Sequence, residues 1–161
     1  MISHLLSRGF RRNQRIIHAH ADDLTHSESL SQTEFNVNCF NWVLGHIVKS
    51  RSDILELLGA PRVTTPEQEE RYIRESDPIT HDGAGVLPFE ELLRLLDATE
   101  DALEAGLEQA DDEFMSMELP TDGDRTAPRS AQVMFSYFHD TYHTGQTEIL
   151  RQLSGKNDKI I

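Results

Sequence analysis

The chain has 161 residues, 37% of them hydrophobic and 27% charged, which suits one water-soluble domain large enough to bury a core without disulfides. Its formal net charge of −13 argues against nucleic acid as a partner, because phosphate binding depends on clustered Lys and Arg. No apolar run approaches the ~20 residues of a membrane-spanning helix, the N-terminal "MISHLLSRGFRRNQ" lacks a secretory pattern, and the single cysteine, Cys39, precludes an intrachain disulfide, so a reducing cytoplasm is the expected location.

The first segment, about His4 to Leu24, carries Leu6, Phe10, Ile17 and Leu24 at helical spacings. Its arginines, Arg8, Arg11, Arg12 and Arg15, read as a solvated or subunit-facing surface. The polar stretch "THSESLSQTEFN" reads as a loop, after which Asn36 or Asn38 can cap a second helix that runs to about Leu58 and stops at "GAP". In "TTPEQEERYI", Thr65 is an N-cap, Pro66 fits the first helical position and Gln68 completes a capping box, so a short helix is expected. A turn-rich linker follows, then a third long helix from about Pro88 to Ala110, with Leu92, Leu95, Leu96, Thr99, Leu103 and Leu107 as its buried face. The stretch "DDEFMSMELPTDGDRTAP" reads as a second loop, and a last helix runs from about Pro128 to Leu153, closed by Gly155.

Strand signals amount at most to a stray β-bridge in the loops. The expected fold is therefore all-α: residues 1–161 as a single domain, a four-helix bundle of ~20–25-residue helices. The connection between the second and third long helices is long enough to cross the bundle, so simple up-down order does not follow.

The candidate chemistry lies in "FHDTYHTGQTEILRQLSG". His139 and His143 are four residues apart, on one face of a helix. On a 100° wheel they share a stripe with Gln132, Phe135, Ser136, Tyr142, Gln146, Leu150 and Leu153, which marks that stripe as the buried one. Ser130, Tyr137, Thr141, Thr144, Glu148 and Gln152 fall on the opposite, outward side. Buried imidazoles need partners, either carbonyls and water or a shared metal.

The second helix favours the metal, because its stripe of Cys39, Trp42, Val43, His46, Ser50, Asp53 and Leu57 brings a third histidine inward. Three neutral imidazoles leave coordination positions open for water or substrate. Cys39 lies ~10 Å from His46 along the helix and reads as a small buried thiol, and Asp53 is expected to pair with Lys or Arg. His4, His18, His20, His26 and His81 do not converge with the others. The zinc-protease reading of "HDTYH" fails, since Asp140 is a methylene shorter than the required Glu and no third ligand lies downstream.

"NWVLGHIVKSR" around His46, together with "FHDTYHTGQTEILRQLSG", resembles the DinB/YfiT superfamily. There, one His on the second bundle helix and a His-x-x-x-His pair on the fourth form a metal triad, usually ahead of a Gly-Gln dipeptide, here Gly145 and Gln146. The resemblance implies His46, His139 and His143 as ligands of a divalent metal such as zinc or nickel, crossed connectivity, and a homodimer formed through bundle helices. Some relatives are transferases that activate a low-molecular-weight thiol at the metal. The Trp-Ser pair often found ahead of the second helix is replaced here by "FNVNCFNW", which leaves the substrate open. The expected function is thus a metal-dependent transferase acting on a small molecule with a thiol co-substrate, with Tyr142 and Gln146 in supporting contacts. Metal-assisted hydrolysis and non-catalytic binding are the competing readings. A subunit interface is expected at an exposed Tyr137 and the outer surface of helix one.

Overall fold

The computed structural model describes residues 2–32, 37–121 and 123–158. In chain order these form α1 (Ile2–Ala21), α2 (His26–Ser29), α3 (Phe40–Leu57), α4 (Pro66–Glu69) running into a 3-10 turn (Glu70–Tyr72), α5 (Phe89–Gln109), α6 (Asp112–Ser116), strands β1 (Glu118–Pro120) and β2 (Thr126–Pro128), and α7 (Arg129–Leu153). Mostly helical structure with one small antiparallel hairpin is the result. None of the described helices is long and apolar enough to cross a membrane.

The long helices fall close to their expected places. Leu24 lies beyond the end of α1 but is still buried. Cys39, not Asn38, holds the cap position of α3 and makes no side-chain cap bond; Asn36 lies outside the described residues. Thr65 and Gln68 form the expected capping box, and Gly155 takes the left-handed conformation (φ +90°) just past α7.

Two segments read as loops carry structure instead. α2 is one turn held by a second capping box, Thr25 with Glu28, whose Thr-x-x-Glu pattern is present in "THSE". The other holds α6, capped by Asp111, and the β1–β2 hairpin, in which Leu119 pairs with Ala127.

Contacts between side chains fix the directions of the long helices. Phe10 meets Tyr137, Asn13 meets Asp140 and His20 meets Thr147, so α1 and α7 run parallel. Phe40 meets Phe89 and Arg51 meets Glu100, so α3 and α5 are also parallel. Ser3 bonds to Ala110 while Gln14 bonds to Asp97, which makes α1 antiparallel to α5. The chain between α3 and α5, residues 58–88, must therefore return along the length of the helices to begin α5 at the same end as α3.

The interior is divided. One apolar cluster contains Ile17, Val43, Ile47, Leu92, Leu96 and Leu150; another contains Leu6, Phe10, Ile54, Leu103 and Val133. On every long helix the residues between the two are polar: Asn13 and Gln14 on α1, Arg51 on α3, Thr99 and Glu100 on α5, Asp140 and Thr144 on α7, all of them buried. Arg51, 0% exposed, donates from Nε to Asp140 Oδ2 at 2.7 Å and from Nη1 to Gln14 Oε1 at 2.6 Å and Glu100 Oε2 at 3.3 Å. Asn13 donates to the other oxygen of Asp140 at 2.7 Å. Burial pushes the Glu100 carboxyl above its usual range, with Arg51 opposing the shift.

Truncating one partner of a buried pair leaves a charge without compensation, which costs about 3–5 kcal/mol. Arg51→Leu and Asp140→Leu are each expected to lose that much in urea unfolding, and the double variant to recover part of it. Single losses below about 1 kcal/mol would match a surface ion pair instead.

Candidate metal centre

His46 on α3 and His139 and His143 on α7 meet at the seam between these two helices. Their Nε2 atoms face one another, at 3.2 Å from His46 to His139 and 3.1 Å from His143 to His139. One ligand atom from each lies within 4.8 Å of the others. Four of the five remaining histidines have contacts elsewhere: His18 pairs with Asp97, His20 contacts Thr147, His26 accepts from the Phe89 amide, and His81 contacts Thr80.

Hydrogen bonds behind the rings fix which nitrogens face inward. His46 Nδ1 donates to the Tyr72 carbonyl at 2.6 Å. A carbonyl only accepts, so Nδ1 carries the proton and Nε2 presents a lone pair. His143 Nδ1 likewise donates to Gln146 Oε1 at 2.7 Å. Two lone pairs thus converge on His139, whose Nε2 can offer at most one hydrogen. No arrangement of protons within three neutral rings satisfies all of them, whereas a cation accepts all three. The donor set therefore fits a divalent metal, which His46, His139 and His143 would hold, with Gln146 and the Tyr72 carbonyl as the outer contacts that orient the rings.

Burial lowers the pKa of all three rings. For His46 desolvation carries it from 6.5 to about 4, against the opposing bond to Tyr72. Desolvation also leads for His139 and for His143. Desolvation thus favours the neutral form of each ring, the form that can ligate a metal.

The Tyr72 contact depends on a residue missed in the sequence. Gly45 precedes His46 inside α3, and a Cβ there would lie 2.2 Å from the Tyr72 ring. Only glycine lets that ring pack so close to α3 at this position. Tyr72 is buried at 1% exposure; its hydroxyl donates to Asn41 Oδ1 at 3.0 Å and accepts from the Leu87 amide at 2.8 Å. The long return segment is thereby pinned where its carbonyl reaches His46. A helix-interior glycine beside a candidate ligand was the available signal. Trp42 adds a stacked face, with its ring centroid 4.7 Å from that of His46 and planes 12° apart.

The α7 wheel reading needs correction. The deeply buried positions are Val133, Asp140, Thr144, Thr147 and Arg151, while Phe135 and Tyr142, expected inside, are 69% and 58% exposed. Thr144, expected outside, is buried. Hydrophobicity misplaces the face because α7 sets its polar side against the Arg51 layer. His139 and His143 consequently lie at the edge of the packed face, not its centre. Tyr137 is also not the exposed residue expected, since it packs edge-on against Phe10 with centroids 5.3 Å apart and covers Gly9. Asp53 pairs with Lys49 and Arg62, and Cys39 is fully buried, its thiol pKa raised by desolvation.

The edge position opens the triad onto a cleft of about 840 Å3, lined on its apolar side by Trp42, Val43, Phe135, Tyr142, Ile149, Leu150 and Leu153. Among the described residues that line it, Arg74 is the single charged one apart from the histidines, and none is a carboxylate. Asp140, beside His139, is turned inward to Arg51.

Gly45→Ala is expected to displace Tyr72 and free His46 Nδ1, lowering metal affinity about 10–100-fold, as loss of an outer contact does; titration with a chromophoric competitor measures it. The imidazoles also set a pH dependence. Between pH 6.5 and about 4 the unfolded chain takes up a proton at His46 that the metal-free folded protein resists. Stability contributed by His46 is present above pH 6.5 and lost as pH falls towards 4. Replacing His46 by Gln should flatten that part of the stability curve in unfolding measured at stepped pH.

Comparison with known proteins places these features in a family. No curated protein matches the sequence. A solved structure, described as the conserved protein of a locus from Enterococcus faecalis, superposes with a TM-score of 0.74 at 16% identity, over 94% of this chain and 96% of the other, which establishes a shared fold. The family model of the DinB superfamily matches residues 10–147, a span that takes in all three histidines, and the chain belongs to the DinB superfamily.

Proposed function

We propose that this chain is a four-helix bundle with crossed connectivity that binds one divalent ion, zinc or nickel, and uses it to transfer a low-molecular-weight thiol to a small electrophile. The observation that carries this reading is the convergence of three neutral Nε2 atoms at the floor of an open, mainly apolar cleft. Three imidazole ligands leave coordination positions free, as catalytic sites do. When bound, such an ion supplies Lewis acidity that lowers a thiol's pKa, so that the nucleophilic thiolate is present at neutral pH.

The protein's own groups would then bind and orient. His46 and His143 are held by the Tyr72 carbonyl and Gln146. Trp42, Phe135 and Tyr142 would pack against an apolar substrate and exclude water, and Arg74 at the cleft would attract an anionic group on either substrate. The new bond joins sulfur to the electrophilic atom, and the leaving group departs with its electron pair. Hydrolysis is less well served. A water nucleophile calls for a base within reach, and among the described residues that line the cleft there is no carboxylate.

A panel of low-molecular-weight thiols and aryl or alkyl electrophiles, followed by mass spectrometry with the zinc- or nickel-loaded protein, tests the reading. Product formation is expected to need both thiol and metal and to fall at least about 100-fold in His139→Ala. Ester or amide turnover at equal rate without thiol would replace the transferase by a hydrolase, and binding without turnover by a non-catalytic role.

A further inference from the structure

The cleft is not symmetric about the three histidines. α3 and α7 run antiparallel along it, since Val43 shares one apolar cluster with Leu150 while Ile54 shares the other with Val133. Among the described residues, the lining on one side of the triad ends at Ser50 and Phe135. On the other side it continues through Trp42, Val43, Ile149 and Leu150 to Val37 and Leu153. Leu153 follows His143 on the same helix, so this longer arm extends about 15 Å from the triad. Its polar members are Asn38 and Gln146, and Gln146 is already engaged by His143. Ile149 and Leu153 line the arm while 59% and 49% exposed, so their apolar surface is available to whatever enters. Long aliphatic walls suit a hydrocarbon chain better than a polar molecule, whose own hydrogen bonds would go unmet there.

Arg74 marks the other end of the arm. It lies two residues after Tyr72, whose carbonyl bonds to His46, and two before Ser76, whose hydroxyl accepts from Trp42 Nε1 at 2.9 Å. The segment is therefore anchored at the root of the arm, beside the triad. Arg74 meets Glu75 at 3.8 Å, with the two side chains 90% and 84% exposed. A pair so solvated holds its arginine weakly, which leaves the guanidinium able to turn to an anion in the cleft.

We propose that the cleft binds a single-chain amphiphile, a medium-chain acid whose carboxylate meets Arg74 and whose hydrocarbon chain lies along the arm towards Leu153. The arm takes roughly twelve carbons, because C–C bonds of ~1.5 Å advance an extended chain by ~1.25 Å each. Binding of the chain stands on the cleft alone; its role as the electrophile rests on the thiol transfer proposed above. With a halide on the carbon next to the carboxylate, the thiol gives its proton to solvent and its sulfur bonds to that carbon. The halide departs with the electron pair of the broken bond.

Trp42 is the only tryptophan of the chain and lines the arm, so its emission reports occupancy. The full chain, freed of metal by chelation, is titrated with saturated acids from hexanoate to tetradecanoate. Kd should fall about fourfold for each added methylene, up to roughly twelve carbons, and level off beyond. Decanoate should bind about tenfold more tightly than decanol, and Arg74→Gln should erase that preference. Leu153→Asp should weaken dodecanoate about tenfold or more and leave hexanoate unchanged, which also shows that the variant is folded. Vesicles of anionic phospholipid should leave the emission as it is, which separates a free acid from a membrane surface. No binding at all, as when another protein surface covers the arm, overturns the proposal. So does a Kd indifferent to chain length, a decanol that matches decanoate, a Leu153→Asp effect equal at every length, or a response to vesicles. Acids that bind as described, with no thiol transfer to 2-bromodecanoate by the metal-loaded protein, would support the site and contradict the transferase reading.

Discussion

A fully buried guanidinium sets the terms for the rest of this molecule. Arg51 cannot be neutralised and cannot reach water, so every helix around it must supply an acceptor or a compensating charge. α7 supplies Asp140, α1 supplies Gln14 and α5 supplies Glu100. Because each partner is a single residue on a single helix, the bonds fix how the helices slide and rotate relative to α3. Two apolar clusters could tolerate other registers by exchanging one leucine for another. A charged layer between them cannot.

That register brings the histidines together. His139 directly precedes Asp140 on α7, and His46 lies five residues before Arg51 on α3. With Asp140 bound to Arg51, the seam between the helices places the three Nε2 atoms face to face at its outer edge. The same rotation of α7 turns its polar side inward and its aromatic side outward. One structural choice therefore accounts for the position of the triad and for the open apolar cleft beside it. The return segment between α3 and α5 completes the site through Tyr72, seated on Gly45, with its carbonyl holding His46.

Much of this was legible in the sequence, and the failures share one cause. Helix periodicity located the four long helices, and Thr65 with Pro66 and Gln68 marked the short one. Spacing of four brought out His139 and His143, and the wheel of α3 brought out His46. The same wheel assumes that apolar means buried, which fails where a helix packs its polar face inward. Asp140 and Thr144 therefore looked outward-facing or idle, Phe135 and Tyr142 looked buried, and Arg51 attracted no notice. Nothing local in "HIVKSRSD" distinguishes a buried arginine from a solvated one, because the difference lies in residues 37, 49 and 89 positions away. The Tyr72 carbonyl was illegible for a related reason, since every residue has a carbonyl and only the tertiary path selects one.

The account rests on the claim that three converging lone pairs hold a metal ion. Elemental mass spectrometry on tag-free protein, with His46→Ala and His139→Ala prepared in parallel, tests it most directly. About one zinc or nickel ion per chain in the wild type, lost in both variants while their helical content persists, is the predicted result. A wild type that takes up no zinc, nickel, manganese or iron on incubation, or variants that keep their ion, would contradict it.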